Sequence, residues 1–149
     1  MNAKLPPINL RTKALTYLAR REYTKKEMVN KLELICDDRV SINKTVEQLV
    51  QHNYLSETRY IESYIQSKIN KYSLNKIRYQ LMQKIDDYEL INKFLQQFAN
   101  HDINLARHII KKKFGQVGDC LTVTLKTKIY RYLSSKGFSY EVIKQALAN

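Results

Sequence analysis

Apolar residues recur along the chain at the three- and four-residue intervals of an amphipathic helix. Ala14, Leu15 and Leu18 form one stripe; Ile61, Tyr64, Ile65 and Ile69, then Ile91, Phe94, Leu95 and Phe98, then Ala106, Ile109, Ile110 and Phe114 form three more. Both prolines, Pro6 and Pro7, stand near the start, and all three glycines, Gly115, Gly118 and Gly137, stand late. Nothing between Asn9 and Phe114 interrupts a helix, so the pattern predicts an all-α protein. Side chains that accept the unpaired amides of a first turn divide the stripes into about nine short helices. Thr24 with Glu27 reads as a capping box, Asp86 with Glu89 as a looser version, and Ser56, Ser73 and Ser139 as caps. The predicted helices span 11–21, 25–35, 42–52, 57–70, 74–84, 87–99, 103–114, 121–136 and 140–148.

One pattern is written three times. An aromatic residue (Tyr23, Tyr72, Phe138) precedes a hydroxyl (Thr24, Ser73, Ser139), an apolar residue follows at the fifth position (Met28, Ile77, Ile143), and a leucine at the ninth (Leu32, Leu81, Leu147). The hydroxyl caps a helix, and the two later positions return to the side facing the core. The helices therefore group as three tandem three-helix repeats, 11–52, 53–99 and 100–149, after an N-terminal tail, 1–10. The aromatic-hydroxyl pair is expected between the first and second helix of each. Copies are spaced unevenly, 49 positions from Tyr23 to Tyr72 and 66 from Tyr72 to Phe138, which assigns the extra length to the GQVGD loop and the segment after it. Repeats lean on their neighbours, so an elongated chain with several small cores is expected. The stretch CLTVTLKT alternates like a strand, but a lone strand has nothing to pair with, and a helix is expected from Leu121.

Charge adds a partner to this picture. A formal net charge of +12 and a pI of about 9.7 predict attraction to a polyanion, either nucleic acid or an anionic surface. No run approaches the roughly twenty apolar residues of a membrane-spanning helix, and the opening MNAKLPPINLRTK lacks the apolar middle of a signal peptide, so no membrane partner is expected. Cys36 and Cys120 lie far apart without metal or disulfide spacing, which points to packing roles and a reducing, cytoplasmic setting.

Catalytic motifs are missing: there is no glycine-rich phosphate loop, no HExxH, no GxSxG and no paired-cysteine site, so no enzyme, metal or cofactor is expected. Asp37-Asp38 and Asp86-Asp87 are better read as helix-boundary residues than as magnesium ligands of a nuclease. His52, His101 and His108 read as polar surface positions. The basic residues are more informative because they gather at corresponding places. Arg20, Arg21, Lys25 and Lys26 flank the first repeated turn, and Lys68, Lys71, Lys76 and Arg78 the second; Lys128, Arg131 and Lys136 approach the third. With the run Lys111, Lys112 and Lys113, they can meet several phosphates along one face. Most of the eleven tyrosines, Tyr23, Tyr64, Tyr72, Tyr130 and Tyr132 among them, fall on apolar stripes or at the repeated turn, so packing is expected rather than stacking on bases.

The segments LTYLARREYTKKEMVNKL, YLSETRYIESYIQSKINKYSLNKIRYQL, ARHIIKKKFG and KTKIYRYLSSKGFSYEVIKQAL together resemble the RecX family of bacterial RecA regulators, from about Leu10 onward. The resemblance implies three tandem three-helix units, an elongated curved shape and binding to the RecA filament on single-stranded DNA. It also implies a modulator, usually an inhibitor, of strand exchange, ATP hydrolysis and coprotease activity, with no enzymatic activity of its own. Two segments depart from the family pattern: the link Leu34 to Asn43, longer and more polar than that pattern, and CLTVTL, unusual where a helix should begin.

The combined expectation is a monomeric, non-enzymatic regulator whose basic face meets the RecA nucleoprotein filament, single-stranded DNA and, as a further partner, double-stranded DNA. The residues expected to carry it are Arg20, Arg21, Lys25, Lys26, Lys68, Lys71, Lys76, Arg78, Lys111, Lys112, Lys113 and Arg131. The competing class is a free-standing helical DNA-binding protein that acts without RecA, but the basic residues cluster at turns and suit phosphates better than base edges.

Overall fold

A computed structural model describes residues 8–98 and 100–148; residues 1–7 of the expected tail, and Ala99 at the end of the sixth expected helix, lie outside them. Among the described residues there are nine α-helices and no strand: α1 (Ile8–Leu18), α2 (Lys25–Glu33), α3 (Arg39–Gln51), α4 (Glu57–Lys68), α5 (Leu74–Met82), α6 (Tyr88–Leu95), α7 (His101–Phe114), α8 (Val123–Ser135) and α9 (Tyr140–Leu147). They make three tandem helix trios. The chain divides into two compact units, Met1–Tyr64 with Met82–Tyr88, and Ile65–Leu81 with Glu89–Asn149, so the middle trio contributes to both.

In the first unit α1, α2 and α3 pack mutually around Leu10, Ala14, Met28, Leu32, Ile42, Val46 and Leu49, with Tyr23 and Leu55 closing the core. In the second, α7, α8 and α9 pack mutually around Leu105, Ala106, Ile110, Ile129, Leu133, Phe138, Ile143 and Ala146. The repeated positions explain themselves in these cores. Met28, Ile77 and Ile143 are fully buried, as are Leu32 and Leu81, while Leu147 packs half-buried against the second core. Burying such a side chain contributes about 1.5–3 kcal/mol, so each copy of the pattern anchors its helix.

The caps follow the sequence closely. Thr24 Oγ1 accepts from the Glu27 amide at 3.1 Å while Glu27 Oε1 accepts from the Thr24 amide at 3.0 Å, a complete capping box. Ser56, Ser73 and Ser139 accept from the amides of Arg59, Lys76 and Val142. Asp86 differs: α6 starts only at Tyr88, and the Asp86 carboxylate instead meets Lys26. Asp38 begins α3 three residues before the expected start, taking the Val40 and Ser41 amides and the Ser41 hydroxyl. The link between α2 and α3 is therefore only residues 34–38, shorter than expected. In the CLTVTL segment Leu121 is extended and Thr122 caps α8 by accepting from the Leu125 amide, so the helix starts at Val123 and not Leu121.

The third copy of the pattern sits elsewhere than expected. Tyr23-Thr24 joins α1 to α2 and Tyr72-Ser73 joins α4 to α5, but Phe138-Ser139 joins α8 to α9, the second and third helices of their trio. One helix, α3, stands between the first hairpin and the second, whereas two, α6 and α7, stand between the second and the third. An additional helix, more than the GQVGD loop, accounts for the wider spacing. Cys36 packs beside the first core, but Cys120 ends a short surface 3₁₀ turn, Gly118–Cys120, and is exposed. His101 is half-buried against Phe98 with Nε2 unpartnered, unlike the exposed His52 and His108.

Candidate nucleic-acid interface

The second repeated turn is where remote segments meet. The Ser73 amide donates to the Lys136 carbonyl at 3.1 Å, and Lys76 Nζ donates to the Ser135 carbonyl at 2.8 Å. These carbonyls belong to the last turn of α8, which ends in a Schellman motif: the Gly137 amide reaches Ser134 O and the Phe138 amide reaches Leu133 O. Gly137 takes φ +92°, and a β-carbon there would fall 2.6 Å from Lys76 Cβ and closer still to Ser73 Oγ. Glycine is needed at this position both for the left-handed backbone and for the close approach. Asp102, in the first turn of α7, accepts from the Leu74 amide at 2.9 Å and fixes α5 to α7. Ser73 is fully buried as a result.

This docking gathers lysines from three stretches of chain around two tyrosine rings. Lys76, Lys136 and Lys68 lie 4.6, 5.2 and 5.8 Å from the centre of the Tyr72 ring. Lys113 and Lys136 lie 3.9 and 5.5 Å from that of Tyr132. The negative face of each ring attracts the ammonium groups and offsets part of their mutual repulsion. Beside them opens a hollow of about 400 Å³, lined by Asn70, Lys71, His108, Ile109, Lys112, Lys113, Tyr132 and Lys136. Lys71, Lys76, Lys112, Lys113 and Lys136 have no carboxylate within 4.0 Å among the described residues. Like charges gathered without counter-charges in a concave surface raise the local concentration of anions.

The first unit treats its cations differently. The Arg21 guanidinium lies 3.7 Å from the Tyr23 ring centre and 3.4 Å from Glu27 Oε1, Lys25 reaches Glu57 at 3.9 Å, and Lys26 reaches Asp86 at 2.6 Å. The hydrogen bond to Asp86 raises the Lys26 pKa above its ordinary value. Arg59 bridges Glu22 and the Asn53 and Tyr54 carbonyls, and Lys84 approaches Glu27. The sequence counts agree with this pairing. The first unit carries twelve Lys and Arg against ten Asp and Glu, a formal +2, and the second fourteen against four, a formal +10.

Of the twelve residues expected to carry binding, Lys68, Lys71, Lys76, Lys112 and Lys113 are brought together in the second unit. Arg78 lies in the same unit but is held by Asn75 and Asn92 through 2.7 and 2.8 Å hydrogen bonds. Lys111 points to another hollow with Arg107, Gly115 and Ala146, and Arg131 to a third with Lys126, Tyr130 and Tyr140. There the rings of Tyr130 and Tyr140 stand 5.2 Å apart, and burial followed by the Tyr140 neighbour pushes the Tyr130 hydroxyl up in pKa. Arg20, Arg21, Lys25 and Lys26 belong to the first unit, Arg20 exposed on the α1–α2 turn. Tyr132 and His108 were not among the expected residues, and Lys136, named with the cations approaching the third turn, was not among the twelve. The signal for Lys136 was its place directly before Gly137 and the third repeated turn.

Among the described residues no helix is long and apolar enough to cross a membrane, and no group of three His, Cys, Asp or Glu is placed to hold a metal ion. Residues 101–147, spanning α7 to α9, match the family model described as the third three-helix domain of RecX. The regulatory protein RecX of Chromobacterium violaceum is 30% identical over 140 residues, covering 94% of this chain and 90% of that protein. That of Acinetobacter baylyi is 33% identical over 147 residues, covering 97% and 90%. The crystal structure of RecX from Lactobacillus salivarius shares the fold at a TM-score of 0.77, with 21% identity over 95% of this chain and 94% of that one. With repeated hairpins, a third trio matching the family model and relatives aligned over nearly its whole length, the chain belongs to the RecX family of regulatory proteins.

Proposed function

We propose that this protein modulates RecA by binding the RecA filament on single-stranded DNA, and that it acts as an inhibitor limiting strand exchange, ATP hydrolysis and coprotease activity. The observation that carries this reading is the formal +10 of the second unit, set beside a first unit near neutrality. A concentrated positive field suits a partner that presents many regularly spaced negative charges. Binding at a repeating partner also favours a repeating binder, because the first contact raises the effective concentration for the next. Occupying the filament blocks entry of duplex DNA and filament growth, and neither effect needs catalysis by this chain. The expected setting is the bacterial cytoplasm.

RecA-driven ATP hydrolysis on single-stranded DNA, followed while this protein is titrated in at several salt concentrations, tests the proposal. Inhibition that weakens as salt rises is expected. Tight sequence-specific binding to duplex DNA with no effect on RecA would replace this reading with a free-standing DNA-binding protein, and metal-dependent cleavage would replace it with a nuclease.

A further inference from the structure

We infer that the hollow between the Lys71–Tyr72 turn, the outer face of α7 and the end of α8 is a site for the sugar-phosphate backbone of single-stranded nucleic acid, with Lys71, Lys112, Lys113 and Lys136 meeting phosphates. This site deepens the filament reading above and rests on it for its setting.

Three observations favour a nucleic acid strand over an acidic protein surface or a duplex. First, the lysines come from both walls of the hollow: Lys71 from the turn before α5, Lys112 and Lys113 from α7, and Lys136 from the end of α8. A single strand lying in it is flanked on two sides, whereas a duplex exposes only the outer edge of each phosphate row. Second, an ammonium group already lies against each tyrosine ring. Lys113 stands 3.9 Å from the Tyr132 ring centre and Lys76 stands 4.6 Å from that of Tyr72, so both rings position ammonium groups. Backbone contact without base stacking gives binding indifferent to sequence. Third, the walls are fixed by hydrogen bonds and a close glycine contact, from Ser73 to Lys136, Lys76 to Ser135, Leu74 to Asp102 and Gly137 against Lys76. Little ordering of the main chain is then left for binding.

The test measures binding of the full chain to a labelled oligothymidylate, without RecA, as salt is varied. Replacing three of the lysines in one variant (K112Q, K113Q and K136Q) is expected to lower the logarithmic salt slope by about 2, since each phosphate contact on a single strand contributes about 0.7. At about 0.1 M salt the affinity falls on the order of a hundredfold. The single variant Lys113→Gln, at an exposed position, is expected to lower the slope by about 0.7 and guards against a folding defect in the triple variant. The variant K13Q and K44Q, at exposed first-unit positions outside the residues expected to carry binding, is expected to leave the slope unchanged. An unchanged slope in the hollow variants, or an equal loss in the first-unit variant, overturns the site. Duplex of the same length bound as tightly as the single strand overturns the strand assignment. RecA assays on the same variants separate the two proposals. Lost inhibition with oligothymidylate binding intact assigns the hollow to acidic protein and overturns the inference. Lost oligothymidylate binding with inhibition intact upholds the site and shows that inhibition of RecA does not run through it.

Discussion

The first and second repeated turns are built alike and surrounded differently. Each has a buried hydroxyl cap, Thr24 or Ser73, and each gives the first amide of its helix to a carboxylate from the next trio, Lys25 to Glu57 at 3.1 Å and Leu74 to Asp102 at 2.9 Å. Around the first turn, Arg21, Lys25 and Lys26 meet Glu27, Glu57 and Asp86. Around the second, lysines meet tyrosine rings and backbone carbonyls. A shared frame therefore leaves one turn neutralised and the other with an attractive field for anions. Net charge alone does not locate a binding surface; the position of the carboxylates does.

The largest expected effect comes from closing the gap that lets the second turn dock. Gly137→Ala brings left-handed strain of about 1–2 kcal/mol together with overpacking of about 1–3 kcal/mol against Ser73 and Lys76. Thermal melting is expected to fall by several degrees, and the salt slope on oligothymidylate to fall with it. Melting and slope both unchanged would show that the α8–α9 turn does not hold the hollow.

Next come the caps. Thr24→Ala and Ser73→Ala remove fully buried hydroxyls and are each expected to cost about 1–2 kcal/mol, while Ser139→Ala, at an exposed cap, costs about 0.5–1 kcal/mol. Denaturant melts of the three variants check the ranking, and a Ser139 variant as damaging as the other two would contradict it.

A smaller contrast divides the lysine run. Lys112 and Lys113 line the hollow with Tyr132, whereas Lys111 faces Gly115 and Ala146. Lys111→Gln is expected to leave the oligothymidylate slope in place, while Lys113→Gln lowers it. The smallest effect concerns the neutralised turn. The pairing that raises the Lys26 pKa contributes stability that is fully present below the unfolded value of 10.5 and is lost as pH rises through the higher folded value. Because the pair is exposed and screened, Asp86→Asn is expected to return the Lys26 titration, followed by NMR, to its ordinary range without a resolvable change in melting at neutral pH.

Much of the fold was legible because hydroxyl and carboxylate caps announce helix starts locally. Thr24, Ser56, Ser73 and Ser139 do so, and so does Asp38, although the helix it caps was expected to start only at residue 42. Helix ends were less legible. Phe94, Leu95 and Phe98 keep helical spacing, yet α6 stops at Leu95 and the chain reverses through Asn100 at φ +61°, because an apolar residue can cap a core from a turn as well as from a helix. The site was legible only as sets of cations. Ser73 and Lys136 are remote in sequence, and no local signal shows that a backbone bond joins them. Nor does local sequence show that Glu57 and Asp86 are the partners of Lys25 and Lys26.

A lysine-modification footprint decides which of the two turns meets the filament: the full chain is acetylated alone and on the RecA filament with single-stranded DNA, and each lysine is read by mass spectrometry. Strong protection of Lys71, Lys112, Lys113 and Lys136 is expected, with Lys25 and Lys26 equally reactive in both states. Protection centred on Lys25 and Lys26, with the four lysines of the hollow still reactive, would contradict that expectation.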